Sequence, residues 1–423
     1  MIIRFSAENY RSIRGRQELT LVATALKDSA DSLIELHEGV PPLLPVAAVY
    51  GANASGKTNV LRALHFISQA VENSHRGWEP GERIRRAPFA LDDSAKRPSS
   101  FEVEFVLDGV RYRYGFSLDS EKVHEEWLYA YPKGKQQQWF VRSETPERNF
   151  SFGRNLPGEK NRTIEGLTRA NSLYLSAAAQ NNHEMLLPIY NFLVNDIQFS
   201  FERGHRQTEE MCTEDKYRTA FLRFLRKADL GITGLRTEQV EYPEELKKVI
   251  SAVKDLLPPE AQQEFPAKAT KTILKHQGQS DSQAEMDLHH ESDGTVAYFS
   301  LLGPIIKTLE TGGVLCIDEL DSSLHPLLAI ELVRNFTDRK RNPLGAQVIF
   351  NTHDTNLLDN PLLRLRRDQV WFTEKDSTGA THLYPLSDFR PRKNENLERG
   401  YLQGRYGAVP FLEHDLVAKE DGD

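Results

Sequence analysis

The sequence lacks the features of a secreted or membrane-bound protein. Only two cysteines occur among its 423 residues, Cys212 and Cys316, and neither belongs to a metal-ligand spacing. This argues against a disulfide framework and favours a reducing cytosol. No apolar run approaches the roughly eighteen residues that a bilayer requires, and no basic-then-apolar leader begins the chain. We therefore expect a cytoplasmic protein that has no membrane partner.

An excess of positive charge is also absent. The 53 lysines and arginines are outnumbered by 61 acidic residues, so the formal net charge is −8. The chain therefore lacks the overall positive charge that would indicate nucleic-acid binding. Basic clusters at 83–86 and 364–367 could still touch phosphates, but we interpret each as a solvated charged face.

No heptad pattern persists along the chain, which argues against a long coiled coil. The chain is longer than a single hydrophobic core usually accommodates, so two or more lobes are expected. Residues 1–180 carry a strand–loop–helix pattern followed by the alternation of antiparallel strands. Residues 181–275 are polar and helical in pattern, with a break at Pro258-Pro259, and form a predicted helical insertion. Apolar strands return in 276–423.

The segment GANASGKT, residues 51–58, lies between a buried-strand pattern and a helical one. It matches Gly-x4-Gly-Lys-Thr, the phosphate-binding loop (P-loop) in its required context. The glycines let backbone N–H groups surround phosphates, and the helix N-terminus adds its dipole. Lys57 would reach the β and γ phosphates, and Thr58 would ligand Mg²⁺. The nucleotide contacts predicted from this segment are Gly51, Asn53, Ala54, Ser55, Gly56, Lys57, Thr58 and Asn59.

Two further strand ends carry chemical groups. GGVLCIDEL, residues 312–320, predicts an apolar strand that ends in Asp318-Glu319. A carboxylate there suits a metal partner, and the next acid can orient the attacking water. Asp318 is therefore the predicted metal partner and Glu319 the predicted catalytic base. VIFNTHD ends a second strand at His353, one helix later, so the two strands could be parallel neighbours and His353 could reach the γ-phosphate.

The Gly-x-Asn-x-Ser-Gly-Lys-Thr loop, a Ser-x-Gly loop, IDELDSSLHP and NTHD, in this order, resemble an ABC-type ATPase head. The resemblance is to the RecF/SMC-like branch rather than to transporters. NYRSI, SDGT, WFTEKD and YLQGRYGAVP further resemble a bacterial family of AAA-type ATPases that includes abortive-infection and RloA-like phage-defence ATPases. The implied fold is an α/β P-loop NTPase, an ABC-type head with a mixed or antiparallel β subdomain and a helical insertion.

The resemblance also implies a homodimer, or a larger assembly, with ATP and Mg²⁺ sandwiched between two heads. Ser292 and Gly294 of one protomer would close over the γ-phosphate bound by the other, as a signature loop does. Asp321 would be the D-loop residue that couples the two sites. Arg11 and Ser12 are expected near the phosphates or the ribose.

Two features depart from the family pattern. The signature segment reads Ser-Asp-Gly-Thr, so Asp293 would bring negative charge close to the phosphates unless it faces away. The glutamine that usually follows a strand after the P-loop helix has no clear counterpart, because Gln69 lies on that helix.

Several functions are compatible with these motifs. One is an ATP-gated switch that controls a separate effector protein, nuclease-like or Toprim-like, in anti-phage defence. Another is a RecF-like ATPase that binds DNA in repair or maintenance. A nuclease within this chain is disfavoured, because only 49 residues follow Glu374. A transporter subunit is disfavoured by the 235 residues between Lys57 and Ser292.

Overall fold

The computed structural model describes residues 1–26, 28–36, 39–143, 149–156, 158–201, 204–255, 268–278, 283–392 and 395–410. The chain forms two compact units. The first unit comprises Met1–Phe201, Thr308–Asp321 and Ala329–Asp423, and the second comprises Glu202–Lys307 and Ser322–Leu328. These limits differ from the three-part division predicted from the sequence. The break predicted at Pro258-Pro259 lies outside the described residues.

The described secondary structure alternates between strands and helices along the chain. The strands are β1 (Ile2–Glu8), β2 (Gln17–Thr20), β3 (Val46–Gly51), β4 (Ser99–Leu107), β5 (Val110–Leu118), β6 (Val123–Tyr131), β7 (Gln137–Ser143), β8 (Phe150–Phe152), β9 (Ile197–Ser200), β10 (Ile232–Val240), β11 (Ala269–Gln277), β12 (Gln283–Asp287), β13 (Val314–Ile317), β14 (Gln347–Asn351), β15 (Val370–Lys375) and β16 (Thr381–Pro385). The α-helices are α1 (Lys57–Asn73), α2 (Glu159–Leu167), α3 (Tyr174–Gln180), α4 (Leu187–Asn191), α5 (Arg206–Met211), α6 (Asp215–Lys227), α7 (Glu244–Asp255), α8 (Asp293–Thr311), α9 (Pro326–Thr337) and α10 (Leu397–Leu402).

A six-stranded sheet in the first unit has the order β16-β15-β3-β14-β13-β9. Its strands are parallel except for β16, which pairs antiparallel with β15 at the edge. Every residue of β3, β13 and β14 is buried, which explains why these strands read as continuous apolar runs. The predicted parallel pairing of the strands that precede Asp318 and His353 is confirmed, since Cys316 lies opposite Ile349.

A seven-stranded antiparallel sheet in the first unit has the order β2-β1-β4-β5-β6-β7-β8. It confirms the antiparallel strands that the hydrophobic alternation predicted within residues 1–180. Its inward side chains share one hydrophobic core with α1 and the parallel sheet. Phe66 on α1 shows the join, because its ring lies 4.7 Å from that of Phe101 on β4. The helix that begins at the P-loop is therefore packed into the core of the first unit.

The second unit contains an antiparallel sheet of order β10-β11-β12. Residues 181–275, predicted as a helical insertion, contain β9, β10 and most of β11 as well as α5, α6 and α7. These strands bury few apolar side chains: β10 has only Ile232 and Leu235 buried. Their hydrophobic periodicity is correspondingly weak. Among the residues that the structure describes, no helix is both long and apolar enough to cross a membrane.

Candidate functional site

The P-loop conformation depends on two glycines. Gly51 and Gly56 have φ values of 153° and 109°, which side chains rarely adopt. Space is also lacking, since a Cβ on Gly51 would lie 2.5 Å from the carbonyl oxygen of Thr373, and one on Gly56 would overlap the hydroxyl of Thr381. The loop is therefore shaped by β15 and β16 from behind as well as by its own sequence.

Lys57 is buried at the first position of α1. Its Nζ donates to the carbonyl oxygens of Gly51 and Ala52 at 2.8 and 3.0 Å. Burial lowers the pKa of Lys57 to about 8, although the carboxylates within 318–321 act in the opposite direction. The ammonium group is thus close to three acids and held over the loop, where a phosphate would stabilise its charge.

Thr58, Asp318 and Asn351 meet where α1, β13 and β14 converge. Thr58 Oγ1 donates to Asp318 Oδ1 at 2.9 Å, and Asn351 Nδ2 donates to the same carboxylate oxygen. Asn351 is 1% exposed, and its amide is also 3.5 Å from Thr58 Oγ1. The structure therefore brings together the two predicted metal ligands and adds Asn351, a neighbour that the sequence prediction did not include.

The turn that presents Glu319 is held by the same asparagine. Glu319 has φ 51°, in the left-handed region, and its N–H donates to Asn351 Oδ1. The N–H of Leu320 donates to the main-chain oxygen of Asn351 at 3.0 Å. These bonds offset the cost of an unusual backbone conformation, which is common at functional sites. The carboxylate of Glu319 is left on the exposed side of the turn.

His353 and Asp321 are joined at the next strand end. Asp321 Oδ1 accepts from Thr352 Oγ1 at 2.6 Å and from the N–H of His353 at 3.2 Å. Partial burial lowers the pKa of His353, and Lys57 acts in the same direction. The imidazole is therefore neutral near pH 7, with one ring nitrogen able to donate and the other to accept.

Ser12 lies against the P-loop. Its Oγ accepts from Asn59 Nδ2 at 2.7 Å and from Thr381 Oγ1 at 2.7 Å. Arg11 has a different environment, because its Nε donates to the hydroxyl of Tyr10 at 3.2 Å. The buried Ser55 joins the other side of this network, with Oγ 2.6 Å from Thr373 Oγ1, whereas the remaining tip residues, Asn53 and Ala54, are exposed.

The signature segment belongs to the second unit. Ser292 precedes α8, and its Oγ accepts the N–H of Thr295 at 3.2 Å, which is an N-cap arrangement. A Cβ on Gly294 would lie 3.1 Å from the carbonyl oxygen of Ser323, so the D-loop backbone packs on this glycine. Asp293 is exposed in the first turn of α8, where the helix dipole stabilises a negative charge.

The oxygen donors near the P-loop suit Mg²⁺. Thr58 and Asp318 provide a hydroxyl and a carboxylate in contact with each other, and Mg²⁺ takes few protein ligands while keeping several waters. Within the described part of the chain, no group of three or more His, Cys, Asp or Glu side chains is arranged to hold a metal ion. The donor set therefore fits a metal shared with phosphates rather than one enclosed by protein.

Comparison with known proteins agrees with this geometry. Residues 46–359 match the model of a family described as "AAA domain, putative AbiEii toxin, Type IV TA system". The chain belongs to this AAA family. It is also 29% identical over 168 residues to the DNA replication and repair protein RecF of Lachnospira eligens, a match that covers 38% of this chain and 43% of that protein. The chain thus matches less than half the length of this relative.

Solved structures of SMC heads are similar to this member of the AAA family. An SMC head bound to the C-terminal winged-helix domain of ScpA has a TM-score of 0.41 at 12% identity, covering 91% of this chain and 97% of that chain. The SMC head domain from Thermotoga maritima has a TM-score of 0.39 at 12% identity, with 91% and 98% covered. The ABC-type, RecF/SMC-like ATPase class that the motifs indicated is confirmed by the family match together with RecF.

Two regions of this AAA protein outside the P-loop site have informative side-chain contacts, namely the basic cluster at 364–367 and the C-terminal segment. The cluster at 364–367 is not simply a solvated face: Arg366 is 0% exposed and bonds Asp368, and Arg367 pairs with Asp28 at 2.7 Å. In the C-terminal segment, the Tyr401 ring stacks on Phe372 of β15 at 5.3 Å. Residues 397–408 therefore pack on the parallel sheet.

Proposed function

We propose that this protein is a cytoplasmic, ATP-hydrolysing switch whose ATP-dependent dimerisation controls an associated effector. The observation that carries the proposal is the convergence of three strand ends on one lysine. Lys57 follows β3, Asp318-Glu319 follows β13 and His353 follows β14. The nearby carboxylates act to raise the pKa of Lys57, and the charge of Lys57 acts to lower the pKa of His353. Such a set can bind, polarise and hydrolyse a nucleoside triphosphate.

Each side chain has a chemical role in this proposal. Lys57 binds the β and γ phosphates, and above pH 8 a bound phosphate would favour its charged form. Thr58 and Asp318 would hold Mg²⁺, which would supply positive charge to neutralise the phosphate oxygens. Glu319 accepts the proton of the attacking water, since its carboxylate is exposed beside the metal ligand Asp318. Neutral His353 donates a hydrogen bond to the γ-phosphate.

The second half of the site would come from a second copy of the chain. Ser292 Oγ accepts the N–H of Thr295 and lies 2.9 Å from Thr295 Oγ1. With Thr295 as the donor of that second bond, the Ser292 hydroxyl would donate to an anion. The N-terminus of α8 adds main-chain N–H groups and a partial positive charge. Asp321 is bonded to the strand end of His353 and could transmit the state of one site to the other. Together these features support an ATP sandwich.

Anti-phage defence through a separate nuclease-like or Toprim-like effector is our preferred biological role. The family description names a toxin of a toxin–antitoxin system, and the net charge of −8 does not favour a nucleic-acid partner. The RecF match favours the alternative, a DNA-binding ATPase in replication or repair. The two roles share the same ATP chemistry and differ in the partner that reads it.

Replacement of the proposed base tests the switch directly. Glu319→Gln should reduce ATP turnover by about 100-fold or more while it retains ATP and Mg²⁺ binding. Light scattering after size-exclusion chromatography should then show an ATP-dependent dimer that Lys57→Ala cannot form. A Glu319→Gln protein that stays monomeric with saturating ATP, or a wild type that hydrolyses ATP as a strict monomer, would contradict the sandwich.

The trapped dimer also separates the two biological roles. If it binds duplex DNA with an affinity that falls steeply as salt rises, the RecF-like role is favoured, because such salt dependence reports released phosphate counterions. If it binds DNA no better than Lys57→Ala does, the effector-controlling role is favoured. Fluorescence anisotropy at 50 and 200 mM salt makes this comparison.

A further inference from the structure

We propose that Glu291 and His276 are positioning residues for the signature segment, and that they set Ser292 and Gly294 for contact with the ATP of a second protomer. The inference rests on the proposed ATP sandwich. It adds a function to the three-stranded sheet β10–β12, which becomes the support that fixes the anion-binding turn in front of α8.

The pair itself is short and shielded. Glu291 Oε1 lies 2.6 Å from His276 Nε2, and the Glu291 side chain is only 7% exposed. Glu291 immediately precedes Ser292, whereas His276 lies on β11, 15 residues earlier in the chain. A contact of this kind restricts the backbone at the residue next to the cap, because the carboxylate cannot leave β11 without losing its partner.

The same strand holds the other end of the segment. Asp287 Oδ2 lies 2.9 Å from Lys271 Nζ on β11, and Asp287 Oδ1 accepts the N–H of His289 at 3.0 Å. Between these ends, Leu288 is 1% exposed. Residues 287–291 are therefore attached to β11 at both ends and anchored by an apolar side chain in the middle.

Beyond Glu291 the turn has equally little freedom. Ser292 Oγ caps α8 through Thr295, and Gly294 packs on the carbonyl oxygen of Ser323. A shift of Glu291 would therefore be passed to both predicted phosphate contacts. Displacement of a contact group by about 1 Å can cost about 100-fold in rate.

The pair of Glu291 and His276 also fixes the position of the negative charge on Glu291. A carboxylate one residue before an anion-binding helix N-terminus would repel a phosphate through the Coulomb interaction. His276 hydrogen-bonds this carboxylate on the side of β11, so the charge of Glu291 is held by a partner. Asp293, by contrast, is exposed in the first turn of α8.

The proposal predicts a defect that acts in trans. Glu291→Ala should lower kcat by about 10- to 100-fold and leave ATP binding to the same chain unchanged. Glu291→Gln should recover most of the loss, because an amide can still bond His276. His276→Gln tests the pair from the other strand, and His290→Ala, an exposed histidine of the same turn, should have wild-type turnover.

Mixing two inactive proteins provides the decisive measurement. Glu291→Ala and Lys57→Ala should be poorly active alone. Their mixed dimer combines an intact P-loop from the first with an intact signature segment from the second, so phosphate release should rise well above that of either protein. Ser292→Arg mixed with Lys57→Ala serves as the reference for complementation, and circular dichroism confirms that each variant is folded.

The outcomes separate the two proposals. If Ser292→Arg is complemented but Glu291→Ala is not, or if folded Glu291→Ala and His276→Gln both turn over ATP at the wild-type rate, the positioning role is overturned. If Ser292→Arg itself is not complemented, the ATP sandwich is overturned. Complementation of both variants, with unchanged ATP affinity, supports the positioning role.

Discussion

Two loops of this protein are suited to bind phosphate, and their supports differ. The P-loop begins a helix that is packed between two sheets. Behind the loop, the buried hydroxyl groups of Thr373 and Thr381 hydrogen-bond to its residue Ser55. The signature segment instead rests on a small antiparallel sheet through ion pairs such as Asp287–Lys271 and Glu291–His276. The P-loop is therefore supported by the hydrophobic core and buried hydroxyl groups, whereas the signature segment is supported mainly by side-chain ion pairs.

The largest expected difference between the two loops is the effect on stability of adding one methyl group, by a glycine-to-alanine substitution, to each of them. Gly56→Ala should remove ATP binding and lower the free energy of unfolding by about 1–3 kcal/mol, because φ is 109° and the new Cβ would overlap Thr381. Gly294→Ala should change stability by less than about 1 kcal/mol, since its nearest contact is 3.1 Å from the Ser323 oxygen. Urea denaturation and ATP titration of both variants test this. Equal destabilisation would show that the two loops have equally rigid supports.

The next effect belongs to Asn351. Asn351→Ala leaves the N–H of Glu319 and the carboxylate of Asp318 without their buried amide partner, so turnover should fall by about 100-fold. Stability should fall by about 1–3 kcal/mol. Asn356→Ala, an exposed amide in the following turn, is the matched control for phosphate release and thermal unfolding. Wild-type turnover in Asn351→Ala would mean that Glu319 is positioned without it.

Asn351 also shows where sequence prediction stops. The P-loop could be predicted because its glycines, lysine and threonine are contiguous and its flanking strand and helix have strong hydrophobic patterns. Asn351 could not, because its partners Thr58 and Asp318 are 293 and 33 residues away and meet it only through strand pairing. A polar residue that ends a wholly buried strand was the available signal.

The same reasoning explains the errors outside the site. Strand β10 escaped prediction because its stability depends on pairing with β11 rather than on a buried apolar face. Arg366 belongs to a basic cluster in sequence, yet in the fold it bonds Asp368 and the main-chain oxygens of Thr24, Leu26 and Asp28. Local composition cannot report such partners, whose positions follow from tertiary structure.

A smaller effect should appear in the pH dependence of nucleotide binding. Because the pKa of Lys57 is lowered to about 8, the free protein loses this positive charge as pH rises above 8, whereas bound phosphates favour the protonated form. ATP affinity should therefore be constant below pH 8 and fall by up to about tenfold per pH unit above it. Lys57→Arg, if it binds ATP, should show no such fall. Calorimetry in buffers of different ionisation enthalpy measures the proton uptake, and its absence at pH 8.5 would contradict the role given to Lys57.

The smallest effect tests the support of the signature segment. Lys271 and Asp287 are 38% and 15% exposed, so Lys271→Ala should lower stability by only about 0.2–1 kcal/mol, and less at 1 M salt, where exposed charges are screened. Lys268→Ala, which removes a 3.3 Å pair with Glu241, is the matched control. Turnover should decrease in Lys271→Ala and remain unchanged in Lys268→Ala, because only Asp287 lies at the end of the segment that leads to Ser292. A loss above about 2 kcal/mol, insensitive to salt, would instead place this pair with the buried contacts of the P-loop and remove the contrast between the two loops.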